Sequence, residues 1–282
     1  GRHWRRSTVL AWLLRELAAG GRLLIGFDFA FALPFDDDEG FLPGTGRRLR
    51  TPTDLWQFVD EVCREQPDFY AGAIVDDPDL ARLFWRQGRR PEGFAERHRL
   101  TETVCREAGW GVPQSVFKLI GAAQVGKGSF AGMRLLHRLR QSPGLSIWPF
   151  VPRETGRSVC VEIYPGLFMA RAKRRGKIRK PGVLRDVVRG LEANPEALPP
   201  GHLDDHSCDA LVSAAALRYY AADDGIWQPE TMTGPARLNE TRYRIRRARA
   251  LSAVAGDKEE RFRHRLAQLP RFFRIGRARD RH

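Results

Sequence analysis

Two acidic side chains stand where the surrounding sequence is apolar. Asp28 closes the run Leu23-Leu24-Ile25-Gly26-Phe27, and Glu162 interrupts Val159-Cys160-Val161-Glu162-Ile163. Two more acids, Asp205 and Asp209, are four residues apart at the start of a helical pattern, so a helix there puts both on one face. Hard divalent cations take oxygen ligands, and Mg²⁺ typically uses one or two carboxylates plus substrate phosphate. Three or four converging acids are what a two-metal phosphodiester site requires. Each acid also has a plainer reading. Asp28 could cap the next turn, and Glu162 could point to water by strand alternation. If both emerge from apolar strands to serve a metal, neutralising either should not cost stability.

The elements that must position these residues are legible in outline. Val9, Leu10, Leu13, Leu14 and Leu17 recur at helical spacing and stop at Gly20-Gly21. The run at 23–28 reads as a strand buried on both faces. Thr53-Asp54 could cap a helix running to about Gln66, and residues 36–112 otherwise read as an irregular insertion, with short helices in its part from 67 on, which is rich in Pro, Gly, Arg and aromatics. Ser115–Ile120 suits a short strand or helix. A helix is expected over 128–141, strands at 145–150 and 159–165, helical segments near 166–175 and 182–193, and the best helix, opened by Asp204 or Asp205, from Cys208 to Ala222. Strands separated by helices make this an α/β chain.

Five blocks, in order, carry a family resemblance. They are Ile25-Gly26-Phe27-Asp28-Phe29-Ala30-Phe31, the run from Gln114 to Gly121, Ile147-Trp148-Pro149-Phe150, Val161-Glu162-Ile163-Tyr164-Pro165, and the run from Asp205 to Ala214. Together they resemble the predicted ribonuclease H-like nucleases, long treated as a domain of unknown function, over roughly residues 5–240. The resemblance implies a ribonuclease H-like mixed sheet flanked by helices, and a Mg²⁺ or Mn²⁺ site held by Asp28, Glu162, Asp205 and Asp209. It implies a metal-dependent phosphodiester hydrolase acting on DNA or RNA; the rival reading is a non-catalytic nucleic-acid-binding module of the same fold. Such a sheet begins with three antiparallel strands, the first bearing an acid, and nothing before the helix at 7–19 can supply them. The expectation is therefore an N-terminally truncated fold in which the strand at 23–28 has an unpaired edge.

Other features admit competing chemistry. The stretch from Gly121 to Ser129 matches G-x-x-x-x-G-K but has Gly128 where a phosphate loop needs Ser or Thr. Lys127 at a helix start could instead hold a nucleic-acid phosphate. His202 and His206 have zinc-ligand spacing, but Pro199, Pro200 and Gly201 argue against a helix spanning both. Lys173 and Lys177, in a basic run over 171–180, could track a phosphate backbone.

Net charge is +14 over 282 residues. From Thr241 to His282, thirteen Arg and one Lys against four acids give +10, leaving only +4 for the body. The domain is accordingly expected to span 1–240, with 241–282 an Arg-rich tail outside its core. Cys63, Cys105, Cys160 and Cys208 have no metal-binding or disulfide-framework spacing, which suits a reducing cytoplasm. No apolar run approaches the length of a membrane span.

Overall fold

The computed structural model describes residues 4–92, 94–120, 124–151, 154, 157–171, 178, 180–201 and 203–227. The tail at 241–282, Lys173, Lys177, His202 and the first residues of the Gly121–Ser129 stretch lie outside them. Two units divide the described residues, the first built from those up to Thr103 and Pro113–Ile163, the second from Val104–Val112 and the described residues following Ile163.

In the first unit, α1 (Arg6–Ala18) leads into β1 (Leu24–Phe27), and β2 (Phe35–Asp36) pairs antiparallel with β3 (Gly40–Phe41). Then come α2 (Pro52–Val62), α3 (Gly72–Asp76), α4 (Pro78–Ala81) and α5 (Leu100–Glu107), the last running on into the second unit. After these, α6 (Gly126–Leu139), β4 (Leu145–Trp148) and β5 (Ser158–Glu162) complete it. Among its described residues the insertion holds the short helices α3, α4 and α5, as expected of it, as well as the anticipated α2.

β5 lies between β1 and β4, and both pairings are parallel. Val159, Cys160 and Val161 are buried, as a central strand covered on both faces requires. β1 forms an edge of this sheet. The antiparallel strands implied by the family resemblance are not among the described residues.

α2 begins with a complete capping box: Thr51 Oγ1 accepts from Asp54 N, and Asp54 returns a carboxylate oxygen to Thr51 N at 2.8 Å. Its buried face, Leu55, Trp56 and Val59, shares one core with Phe130, Met133 and Leu136 of α6. Two cations of α6 also grip α2 through Asp60, four residues after Trp56 and so on the same packed face. Arg134 Nε donates to Asp60 Oδ1 at 3.0 Å and Arg138 Nη2 to Asp60 Oδ2 at 2.7 Å. Arg134 Nη1 also reaches the carbonyls of Gln66 and Tyr70, so a buried cation is paired and hydrogen-bonded rather than stranded. Asp68, in that same turn, accepts both the N–H and the hydroxyl of Ser7 and so caps α1 from far along the chain.

The second unit contains α7 (Pro165–Arg171), α8 (Pro181–Gly190) and α9 (Asp205–Ala221). Leu184, Val187 and Val188 of α8 and Val212, Ala215 and Ala216 of α9 are buried, and Phe168 stacks on Tyr220 with centroids 6.2 Å apart. Gly111 is required where it stands. It has φ +153°, and a Cβ there would lie 2.4 Å from the Tyr164 hydroxyl. Among the described residues no helix is long and apolar enough to cross a membrane.

Candidate functional site

Parallel pairing decides where the first two acids lie. Leu24 is opposite Val159, and the register runs on to Phe27 opposite Glu162. The Phe27 carbonyl accepts the N–H of Ile163 at 3.0 Å, and Asp28 follows immediately at a bend where β1 ends. Asp28 and Glu162 therefore stand at the carboxyl ends of neighbouring parallel strands, which is where open α/β sheets carry their ligands. Asp28 is exposed and Glu162 half-buried.

The segment after Asp28 is held at three points. Ala30 N donates to Ser129 Oγ of α6 at 3.1 Å, Phe31 N to Glu162 Oε2 at 2.9 Å, and the Trp56 indole N–H to the Phe31 carbonyl at 2.6 Å. Side chains reinforce this. Phe27, Phe29 and Phe31 form a ladder with centroids 5.1 and 5.3 Å apart. Phe29 lies on Gly132 of α6, where any Cβ would be 2.3 Å from the ring. An absent side chain on α6 thus makes room for the ladder that fixes the backbone beside Asp28.

Glu162 has a partner that sequence reasoning missed. Arg99, 4% exposed, presents both ends of its guanidinium to the carboxylate, Nη1 to Oε2 at 2.7 Å and Nη2 to Oε1 at 2.5 Å. This is the bidentate fork that matches carboxylate and phosphate alike. Arg99 Nε donates to Glu102 Oε1 at 2.9 Å, and its backbone N–H to Glu102 Oε2 at 2.9 Å. Glu102 is the third residue of α5 and reaches back to the N–H of the residue before the helix, half of a capping box. His98 stands between two acids, Nδ1 3.6 Å from Glu102 and Nε2 3.5 Å from Glu96. Burial acts most strongly on Glu102 and pushes its pKa up. The Arg99 charge, His98 and the two Arg99 donors together outweigh it and hold the pKa below the usual value. The signal in the sequence was Arg99-Leu-Thr-Glu102, an acid three residues past a helix boundary, inside a stretch expected to be irregular with short helices.

Asp205 and Asp209 belong to the second unit, both half-buried in the first two turns of α9. Asp204 is the cap, its Oδ1 accepting from Ser207 N at 2.7 Å. Burial first, then the charges of Asp209, Asp205 and Asp204, push the Cys208 thiol pKa up, so these acids act on a shared environment. His206 is exposed. Among the described residues there is no group of three or more His, Cys, Asp or Glu side chains that could hold a metal ion. Lys127 is exposed in the first turn of α6. Gly126 beside it is needed for close approach, since a Cβ would meet the Val116 carbonyl oxygen at 2.1 Å.

No family model matches this chain, and no curated protein or solved structure is similar to it at a significant level.

Proposed function

We propose that this chain is a metal-dependent phosphodiester hydrolase acting on nucleic acid, with a ribonuclease H-like arrangement around its parallel sheet. The observation that carries the reading is the register of β1 on β5, which brings Asp28 and Glu162 to the same end of adjacent strands. The donor set suits one hydrated Mg²⁺ or Mn²⁺ better than a two-metal clamp. Three of the roughly four acceptor positions of Glu162 are taken by Arg99 and Phe31, leaving one on Oε1, and Asp28 is exposed. One or two carboxylates are what Mg²⁺ usually takes from protein. When bound, the ion would supply Lewis-acid polarisation of the phosphodiester and a more acidic water.

The protein's own groups have distinct parts. Asp28 and Glu162 would hold the cation, and the three anchors on residues 30–31 keep Asp28 at the strand end. Asp28, Glu162 and Glu102 against Arg99 leave a formal charge of −2, which favours a cation despite the guanidinium. Arg99 orients Glu162 through the fork. Four buried thiols suit a reducing, cytoplasmic compartment. One observation favours the non-catalytic reading instead: Arg99 already occupies Glu162 with a cation. Cleavage of a panel of DNA and RNA substrates with and without Mg²⁺ or Mn²⁺ decides between them. Asp28→Asn should abolish cleavage; cleavage at the unmodified rate would sink the site assignment. No cleavage anywhere on the panel, with or without metal, would favour the binding module.

A further inference from the structure

A second surface of the first unit, made from the segment after α4 and the turn at 115–119, has a chemistry of its own. Trp85 is joined to that stretch by backbone bonds, its N–H to the Phe117 carbonyl at 2.9 Å and its carbonyl to Leu119 N at 2.8 Å. The indole N–H is satisfied by the Gly88 carbonyl at 3.1 Å, so the polar edge of the ring is spoken for while the side chain stays half-buried. Lys118 Nζ lies 5.9 Å from the centre of the Trp85 ring, and Phe94 meets Trp85 edge to face at 6.0 Å. The Arg90 guanidinium in turn lies 5.4 Å over Phe94. The result is a row of cation, aromatic, aromatic, cation, with exposed Arg89 beside it.

The charges in this row are not used up. Arg86, Arg99, Arg134 and Arg138 all find carboxylates. Among the described residues no carboxylate pairs with Arg89, Arg90 or Lys118; Arg90 is held by the Phe94 carbonyl at 2.9 Å and Lys118 by Gln114 Oε1 at 3.3 Å. Neutral acceptors fix these cations in place without cancelling them. Between Arg82 and Arg97 five Arg face two Glu. Preorganised cations flanking a half-exposed indole are what a single nucleic-acid strand needs, phosphates meeting the cations and one base meeting the ring.

We infer that the surface formed by Trp85, Lys118, Arg89 and Arg90 binds single-stranded nucleic acid. The inference deepens the phosphodiesterase reading by naming the form of the substrate, and rests on it only for the cleavage step, not for binding. The test is fluorescence anisotropy of the full chain with a short labelled single strand, DNA and RNA, in EDTA across a salt series, where no metal-dependent cleavage can occur. The combined variant Arg89→Gln, Arg90→Gln, Lys118→Gln should weaken binding and reduce the log–log salt slope by about 0.7 for each phosphate no longer neutralised. Trp85→Leu should weaken binding about fivefold or more and leave the slope unchanged. Arg189→Gln removes an exposed cation of α8 paired with Asp186, which is not part of the proposed surface, and should leave the affinity unchanged. Should Trp85→Leu fail to fold, the three-cation variant alone decides. Absence of binding by the unmodified chain, or an affinity and slope unmoved in the three-cation variant, overturns the inference. Binding that survives while Asp28→Asn fails to affect cleavage would count against the carboxylate site and not against this surface.

Discussion

Glu162→Gln should destabilise the protein by about 2 kcal/mol, although an acid in an apolar run looks dispensable to the fold. Three N–H donors converge on its carboxylate at 2.5, 2.7 and 2.9 Å. Hydrogen bonds to a charged group contribute about 1.5–3 kcal/mol each, but this side chain is 28% exposed, and solvent screening argues for the low end. After the substitution the amide oxygen can still serve Phe31 N and Arg99 Nη1. The amide nitrogen then faces Arg99 Nη2, donor to donor. Arg99→Met is the harsher change, because it removes the cation from Glu102, whose side chain is only 8% exposed, and breaking such a buried pair costs about 3–5 kcal/mol. With Arg99 gone, Glu162→Gln loses its penalty, so the double variant should be more stable than the sum of the singles predicts, by about 1–2 kcal/mol. Urea unfolding followed by circular dichroism on the four proteins measures this coupling. Additivity within about 0.5 kcal/mol would refute the reasoning.

Gly132→Ala should cost about 1–2 kcal/mol. Relieving a helix interior of glycine gains up to about 1 kcal/mol, but a Cβ 2.3 Å from the Phe29 ring forces overpacking worth about 1–3 kcal/mol, and thermal unfolding should report the loss; a stabilised variant would mean the aromatic ladder yields freely. Glu102 has its folded pKa below the unfolded value of roughly 4.3, so its contribution is complete above that pH and is lost as pH falls through the folded value. Glu102→Gln should therefore be less stable than the unmodified protein at neutral pH and lose less stability on acidification; parallel stability–pH curves would contradict the assigned pairing.

Strand β1, its terminal Asp28, the buried strand β5 and the helix α9 were legible because each is announced by local pattern. The apolar run of β5 does lie in the sheet interior, whereas β1, expected to be buried on both faces, is an edge strand in which only Ile25 is buried, and Asp204, next to Asp205, is a natural cap. What sequence alone could not supply was the partner of each acid. Arg99 lies 63 residues from Glu162, and no local rule links a cation in an apparently irregular insertion to a carboxylate on a central strand. The same holds for Asp60 with Arg134 and for Ser7 with Asp68, contacts spanning 74 and 61 residues. Buried charges find partners wherever the chain brings a counter-ion within reach, a condition on distance in space. Periodicity records only which side of an element faces the core. The sequence could therefore nominate Asp28 and Glu162 for chemistry, while the tertiary structure decided that one stands exposed at a strand end and the other carries a guanidinium across both oxygens.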